Sequence, residues 1–175
     1  MSASWWIETT QLLAEAHNFR PQPRHGDFWR DLSLPLPLPE AQVAALGDIA
    51  GRMNDACSEA RSGMIAIFTG RDAVGKLMAA EALAYEMQRP LHRIDSSDMF
   101  GAPDKHFARI LHAACSENAI LMIGNAGSLP HRLLQALESY SGLSILTADS
   151  IQETSATLRA SARYIVDFPF PFDNE

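Results

Sequence analysis

The strongest chemical signal in the sequence is a run of eight residues with two glycines and a lysine at fixed spacing, Gly70-Arg71-Asp72-Ala73-Val74-Gly75-Lys76-Leu77. This run matches GxxxxGK, the pattern of phosphate-binding loops. In such a loop, successive backbone N–H groups at a helix N-terminus surround a phosphate, and the lysine reaches its oxygens. We call these residues the phosphate loop and take all eight as candidate nucleotide contacts. The alternative is an ordinary strand-to-helix turn with an exposed Lys76.

The residues that should accompany such a loop in an enzyme are missing. Leu77 stands where Ser or Thr supplies a hydroxyl to magnesium, and a leucine has no oxygen to offer. A second acidic anchor is expected at the end of a buried strand, but the apolar run Ala119–Ile123 leads into Gly124 and Asn125. Loss of a general base alone costs about 10²–10⁴-fold in rate, and phosphoryl transfer also depends on a metal to neutralise charge. The sequence therefore predicts weak magnesium binding and no useful hydrolysis.

Short apolar runs and helix-like stretches alternate from Met64 onward. Continuous Ile, Leu and Met are typical of strands buried on both faces, and helical crossovers make neighbouring strands parallel. This pattern predicts a three-layer α/β fold. The predicted strands are Met64–Thr69, Leu91–Asp95, Ile120–Ile123, Leu143–Thr147 and Arg163–Asp167. The predicted helices lie at about 75–88, 104–116, 129–139 and 151–158.

The region before Met64 differs in composition. Residues 1–33 hold all three tryptophans and form a separate N-terminal arm, with a short helix at about 4–17, while residues 34–175 form the main domain. The alternating prolines of Leu34–Pro39 exclude helix and ladder pairing, so this segment is predicted to be an extended strap that lays its leucines on a surface. It also fits a proline-rich recognition ligand. Glu40–Ala60 carries apolar residues at helical spacing and predicts an amphipathic helix.

Composition excludes several classes of protein. The 175 residues are 47% hydrophobic, and 14 Lys and Arg face 21 Asp and Glu, for a formal charge of −7. These values are typical of one globular domain, and the acidity argues against nucleic-acid binding. No stretch reaches the ~18 apolar residues of a membrane span, and the N-terminus lacks a signal-peptide pattern. We therefore expect a cytoplasmic protein in which Cys57 and Cys115 are small core residues, not a disulfide.

Longer blocks of the sequence resemble the AAA+ ATPases, in particular the bacterial branch encoded beside contractile, phage-tail-like injection machines. The likeness runs from about Leu34 to Pro171 and is strongest where the phosphate loop continues into Met78–Ala84, and then in Arg89–Ser97, Leu137–Gly142 and Tyr164–Pro171. The resemblance implies a P-loop NTPase domain with a five-stranded parallel sheet of order 5-1-4-3-2. It also implies a site for ATP or ADP at the carboxyl edge of that sheet.

The departures from this family fall on its catalytic positions. By the resemblance, Gly124 and Asn125 occupy the positions of the family's metal-binding Asp and catalytic Glu. Asp149 occupies the position of its polar sensor. Ala160 and Ser161 occupy the positions of its arginine fingers. Arg159 and Arg163 flank the last pair and are candidate substitutes. Phe100–Pro103 replaces a longer substrate-facing loop. The sequence also ends where the family's helical lid would begin, so the lid is expected to be absent.

These features together favour a pseudo-ATPase. The predicted role is a protein-interaction or regulatory subunit that binds ATP or ADP weakly. Its expected partner is an active AAA+ relative or another component of a phage-tail-like machine. One alternative is an active ATPase that uses Asp95 or Asp149 for the metal or the water. The other is an AAA+-type regulator of replication initiation.

Overall fold

Five apolar runs form the strands of one parallel sheet. The computed structural model describes residues 38–55, 63–96 and 104–169. Within these ranges the strands are β1 (Met64–Thr69), β2 (Leu91–Asp95), β3 (Ile120–Gly124), β4 (Leu143–Thr147) and β5 (Tyr164–Asp167). Neighbouring strands all pair in parallel, in the order β2-β3-β4-β1-β5. The predicted sheet order of 5-1-4-3-2 is confirmed.

Helices occupy the segments around and between the strands. They are α1 (Glu40–Asp55), α2 (Ala73–Glu86), α3 (Asp104–Glu117), α4 (His131–Ser139) and α5 (Ala156–Ser161), with 3-10 helices at Ala126–Ser128 and Ile151–Glu153. The single helix predicted at 151–158 was wrong. Extended backbone at Thr154 and Ser155 separates the second 3-10 helix from α5. The Ser155 hydroxyl accepts a hydrogen bond from the Leu158 amide at 3.1 Å, so it starts α5 as an N-cap.

Helices cover both faces of the sheet and form two cores. On one face, α1 and α2 pack against alternate strand residues, including Ala66 and Phe68 of β1. On the other face, α3, α4 and α5 pack against the intervening residues, including Ile65 and Ile67. Side chains alternate between the two faces along a strand, and every residue of β1 is buried as a result. The three-layer α/β fold is therefore confirmed.

Several predicted features lie outside the described residues. These are the N-terminal arm, Leu34–Pro37 of the strap, Cys57 and the segment Phe100–Pro103. The described residues end at Pro169, just after β5, and include no helical lid. Within the same ranges, no helix has the length and apolar character needed to cross a membrane.

The core position expected for Cys115 was wrong. This residue lies on the outward side of α3 and is exposed. Its neighbour Ala114 takes the inward position and is fully buried. Helical geometry turns consecutive residues by about 100°, so an apolar neighbourhood in the sequence does not place each member in the core.

The buried hydroxyl of Ser144 gives a test of the central strand β4. Ser144 is wholly buried, and its Oγ has no hydrogen-bond partner within the described part of the chain. An unpaired buried hydroxyl costs free energy, so Ser144→Ala should leave the free energy of unfolding unchanged or raise it by up to about 1 kcal/mol. Ile145→Ala, at the next buried position, should lower it by about 2–5 kcal/mol. Urea denaturation measures both, and a loss above about 1 kcal/mol in Ser144→Ala would contradict this.

Candidate functional site

The carboxyl ends of the five strands meet at one edge of the sheet, where the phosphate loop follows β1. Gly70 begins the loop with φ of 102°, a conformation that favours glycine. A Cβ at Gly70 would lie 2.1 Å from the Phe168 carbonyl oxygen. The Asp72 amide also donates to that oxygen at 3.2 Å, and the Phe168 amide donates to Thr69 O at 2.7 Å. The loop is therefore held directly against the chain that leaves β5.

The second half of the loop is helical, and three of its amide groups are bonded within the loop. Helix α2 begins at Ala73, two residues before the predicted start. The reason is the side chain of Asp72, whose Oδ1 accepts a hydrogen bond from the Gly75 amide at 2.8 Å and caps the helix. The Ala73 amide donates to Arg71 O at 3.0 Å, and the Lys76 amide donates to Asp72 O at 3.1 Å. Three of the amides that the motif predicts to surround a phosphate are thus already bonded within the loop.

Lys76 is buried and joins the loop to β4. The residue is 4% exposed, so the alternative of a turn with an exposed Lys76 was wrong. Its Nζ donates to Gly70 O at 2.6 Å and to Ala148 O at 3.0 Å. The Asp149 carboxylate lies 3.7 Å from the same nitrogen, with 72% of its own side chain exposed. Two carbonyl oxygens and one carboxylate therefore compensate the buried charge.

An open cleft adjoins this lysine at the ends of β3 and β4. The cleft has a volume of about 250 Å³ and is lined by Asn125, Gly127, Ala148, Asp149 and Glu153. Ala148 and Asp149, which directly follow β4, also contact Lys76. Asp149 and Glu153 place two exposed carboxylates around the cleft, so it is acidic apart from the buried ammonium beneath it.

The ends of β2 and β3 are joined by polar contacts beside the cleft. Asn125 has φ of 54°, in the left-handed region that asparagine tolerates better than most residues. Its Nδ2 donates to Asp95 Oδ2 at 3.3 Å, and the Ser96 hydroxyl donates to Asn125 O at 2.9 Å. Asp95 and Asn125, both singled out from the sequence, therefore meet. The sequence did not identify Glu153 and Gly127 as cleft residues. Both lie on 3-10 helices that are too short to show a periodic pattern of apolar residues.

The groups needed for a magnesium site do not come together here. Leu77 is half-buried and packs against the core formed by α1 and α2. Gly124 ends β3 without a side chain. Among the described residues, no group of three or more His, Cys, Asp or Glu is placed to hold a metal ion. The described residues at this edge thus do not provide a set of ligands that fits magnesium.

Arg159 and Arg163, the candidate substitutes for the arginine fingers, interact with other groups of the protein. A guanidinium nitrogen of Arg159 donates to Ile151 O at 3.0 Å, within its own segment. Arg163 contributes to the low pKa of Asp48 on α1, which is caused first by the hydrogen bond from Tyr164 and then by that from Arg52. Neither arginine lines the cleft.

Comparisons with known proteins identify the fold. No protein-family model matches this sequence, and no relative was found among curated proteins. Among solved structures, the FIGL-1 AAA domain in complex with ADP matches with a TM-score of 0.58 at 14% identity, over 92% of this chain and 62% of that one. PCH-2 of C. elegans matches with a TM-score of 0.58 at 14% identity, over 75% and 43%. A point variant of Thermotoga maritima RuvB matches with a TM-score of 0.54 at 20% identity, over 74% and 43%.

These likenesses establish the fold alone, because all are below 25% identity. The chain has the three-layer fold of an AAA+ domain. It spans about half the length of the solved structures it matches.

Replacing the buried ammonium tests the structural part that Lys76 plays. Lys76→Met keeps the aliphatic stem but removes the donor to Gly70 O and Ala148 O. We expect the free energy of unfolding, measured without nucleotide, to fall by about 1–3 kcal/mol because two carbonyls lose their partner.

Arg109→Met is the matched control, since Arg109 is exposed on α3. Removing this surface charge should change the free energy of unfolding by less than about 0.5 kcal/mol. Equal stability of the two variants in urea denaturation would show that Lys76 does not hold the loop.

Proposed function

We propose that this chain is an AAA+-like domain that binds ATP or ADP weakly, does not hydrolyse ATP at a useful rate, and acts as a protein-interaction or regulatory subunit. The observation that carries the proposal is the chemistry at the end of β3. Gly124 and Asn125 stand where hydrolysis needs acidic side chains, and the Asn125 amide is bonded to Asp95 instead. Neither Gly124 nor Asn125 has a side chain that can accept a proton from an attacking water.

The arrangement around Lys76 supports the same conclusion. Asp149, the residue at the sensor position, lies 3.7 Å from the Lys76 ammonium. A carboxylate in this place would repel a γ-phosphate, whereas a neutral polar group would orient the attacking water. Leu77 contributes to the core and has no oxygen for a metal. Magnesium-dependent catalysis would therefore have to proceed without either of its usual anchors.

Residual nucleotide binding is supported by what the loop retains. Only two of the 14 basic residues are lysines, and one of them is Lys76 of the phosphate loop. Gly70 and Gly75 keep the spacing of the motif. The similar FIGL-1 AAA domain was solved in complex with ADP. The phosphates of a bound nucleotide would lie against this loop, where Lys76 would exchange a carbonyl partner for a phosphate oxygen.

The proposed partner is a protein. An active AAA+ relative, or another component of a phage-tail-like machine, is the partner that the sequence resemblance implies. The formal charge of −7 argues against nucleic acid as the main ligand. Trp5, Trp6 and Trp29 lie in the N-terminal arm, and tryptophan is enriched at the energetic centres of interfaces. We propose this arm as the docking element.

A titration with ATP separates the proposal from an active ATPase. The full chain should bind ATP with the same weak affinity with and without magnesium and release no phosphate above the rate in buffer. The measurements are calorimetry for binding and a phosphate-release assay for turnover.

Magnesium-dependent phosphate release that is lost in Lys76→Ala would contradict the proposal, provided that this variant melts as a folded protein. Loss of the release in Asp149→Asn as well would then favour an ATPase with unorthodox catalytic residues.

A further inference from the structure

An acidic side chain of the phosphate loop already occupies the place of an anion. We propose that Asp72 is an internal gate, whose carboxylate takes the loop amide that a phosphate needs and keeps the nucleotide site closed until it is displaced. This inference rests on the proposed nucleotide binding and adds its regulation.

The contact between Asp72 and Gly75 is direct. Asp72 Oδ1 accepts the Gly75 amide proton at 2.8 Å. A Cβ built on Gly75 would lie 2.3 Å from Asp72 Oδ2 and 2.9 Å from its Cγ. The carboxylate therefore fills the space beside Gly75 in the first turn of α2.

Electrostatics makes the two anions compete. The N-terminus of a helix carries a partial positive charge and unpaired N–H donors, and both favour one nearby anion. In α2 that anion is the carboxylate of Asp72, which also caps the helix. A phosphate at the same amide would have to displace this carboxylate and then remain close to it. Affinity for ADP should therefore be limited by the charge of Asp72.

Lys76 is also engaged in hydrogen bonds within the protein. Its ammonium donates to Gly70 O at 2.6 Å and to Ala148 O at 3.0 Å. To reach a phosphate oxygen, this group must give up at least one of those carbonyls. Asp72 and Lys76 are thus both engaged within the protein, and a nucleotide must exchange both sets of contacts.

Helix capping alone is the competing role for Asp72, and one substitution separates the two roles. Asparagine caps helices about as well as aspartate, because its side-chain oxygen also accepts an amide proton, but it carries no charge. Asp72→Asn should therefore leave thermal stability near that of the wild type while removing the competing anion. Asp72→Ser, also a good cap, provides a second neutral variant if Asp72→Asn folds poorly.

The experiment is a calorimetric titration of the full-length protein with ADP in the absence of magnesium. We expect Asp72→Asn to bind ADP at least about tenfold more tightly than the wild type. Glu86→Gln is the control because it makes the same change in net charge at the other end of α2, about 20 Å from the loop. This control should bind like the wild type.

The outcomes distinguish the gate from the site it controls. Equal or weaker ADP binding by Asp72→Asn, with binding still measurable in the wild type, would overturn the gate and leave the proposed nucleotide site standing. A similar gain in Glu86→Gln would overturn it as well, since net charge alone would then explain the effect. No ADP binding by any of the proteins would overturn the nucleotide site and the gate together.

Discussion

The arrangement of this domain's carboxyl edge depends on a buried ammonium group. A charge removed from water must find partners within the protein, or the fold loses several kcal/mol. Lys76 finds them in the carbonyl oxygens of Gly70 and Ala148, which belong to the phosphate loop and to the end of β4. These two bonds pull together segments that are 72 residues apart in the chain. They also bring the exposed carboxylate of Asp149 toward the loop.

Polar side chains at the same edge are already engaged in hydrogen bonds within the protein. Asp72 caps α2, and Asn125 is tied to Asp95. The two helical layers that cover the sheet are packed as in an AAA+ fold, whereas the proposed loss of hydrolysis concerns only this edge. Under the proposal, the packed layers would serve assembly with a partner, and the carboxyl edge would not support turnover. This is the physical basis of the proposed regulatory role.

Much of the fold could be predicted from the sequence, because the strands are buried on both faces and are therefore continuously apolar. The bounds of β1, β2 and β4 were predicted without error. The break before α5 was missed, since one capping serine decides it over a few residues. The position of the Lys76 ammonium could not be predicted, because a lysine side chain is long and flexible and the sequence does not show which carbonyl oxygens it reaches. The cap formed by Asp72 had a local signal, an aspartate just before a helix, that the phosphate-loop pattern obscured.

The charges of Lys76 and Asp72 are satisfied by partners within the protein itself. The most direct test is proton exchange at the Lys76 ammonium, followed by NMR on nitrogen-labelled protein without ligand. With 4% exposure and bonds to two carbonyls, this ammonium should give a resolved signal whose protons exchange with water much more slowly than those of free lysine. Exchange as fast as in free lysine would contradict the claim and mean that the lysine projects into solvent, ready for a phosphate.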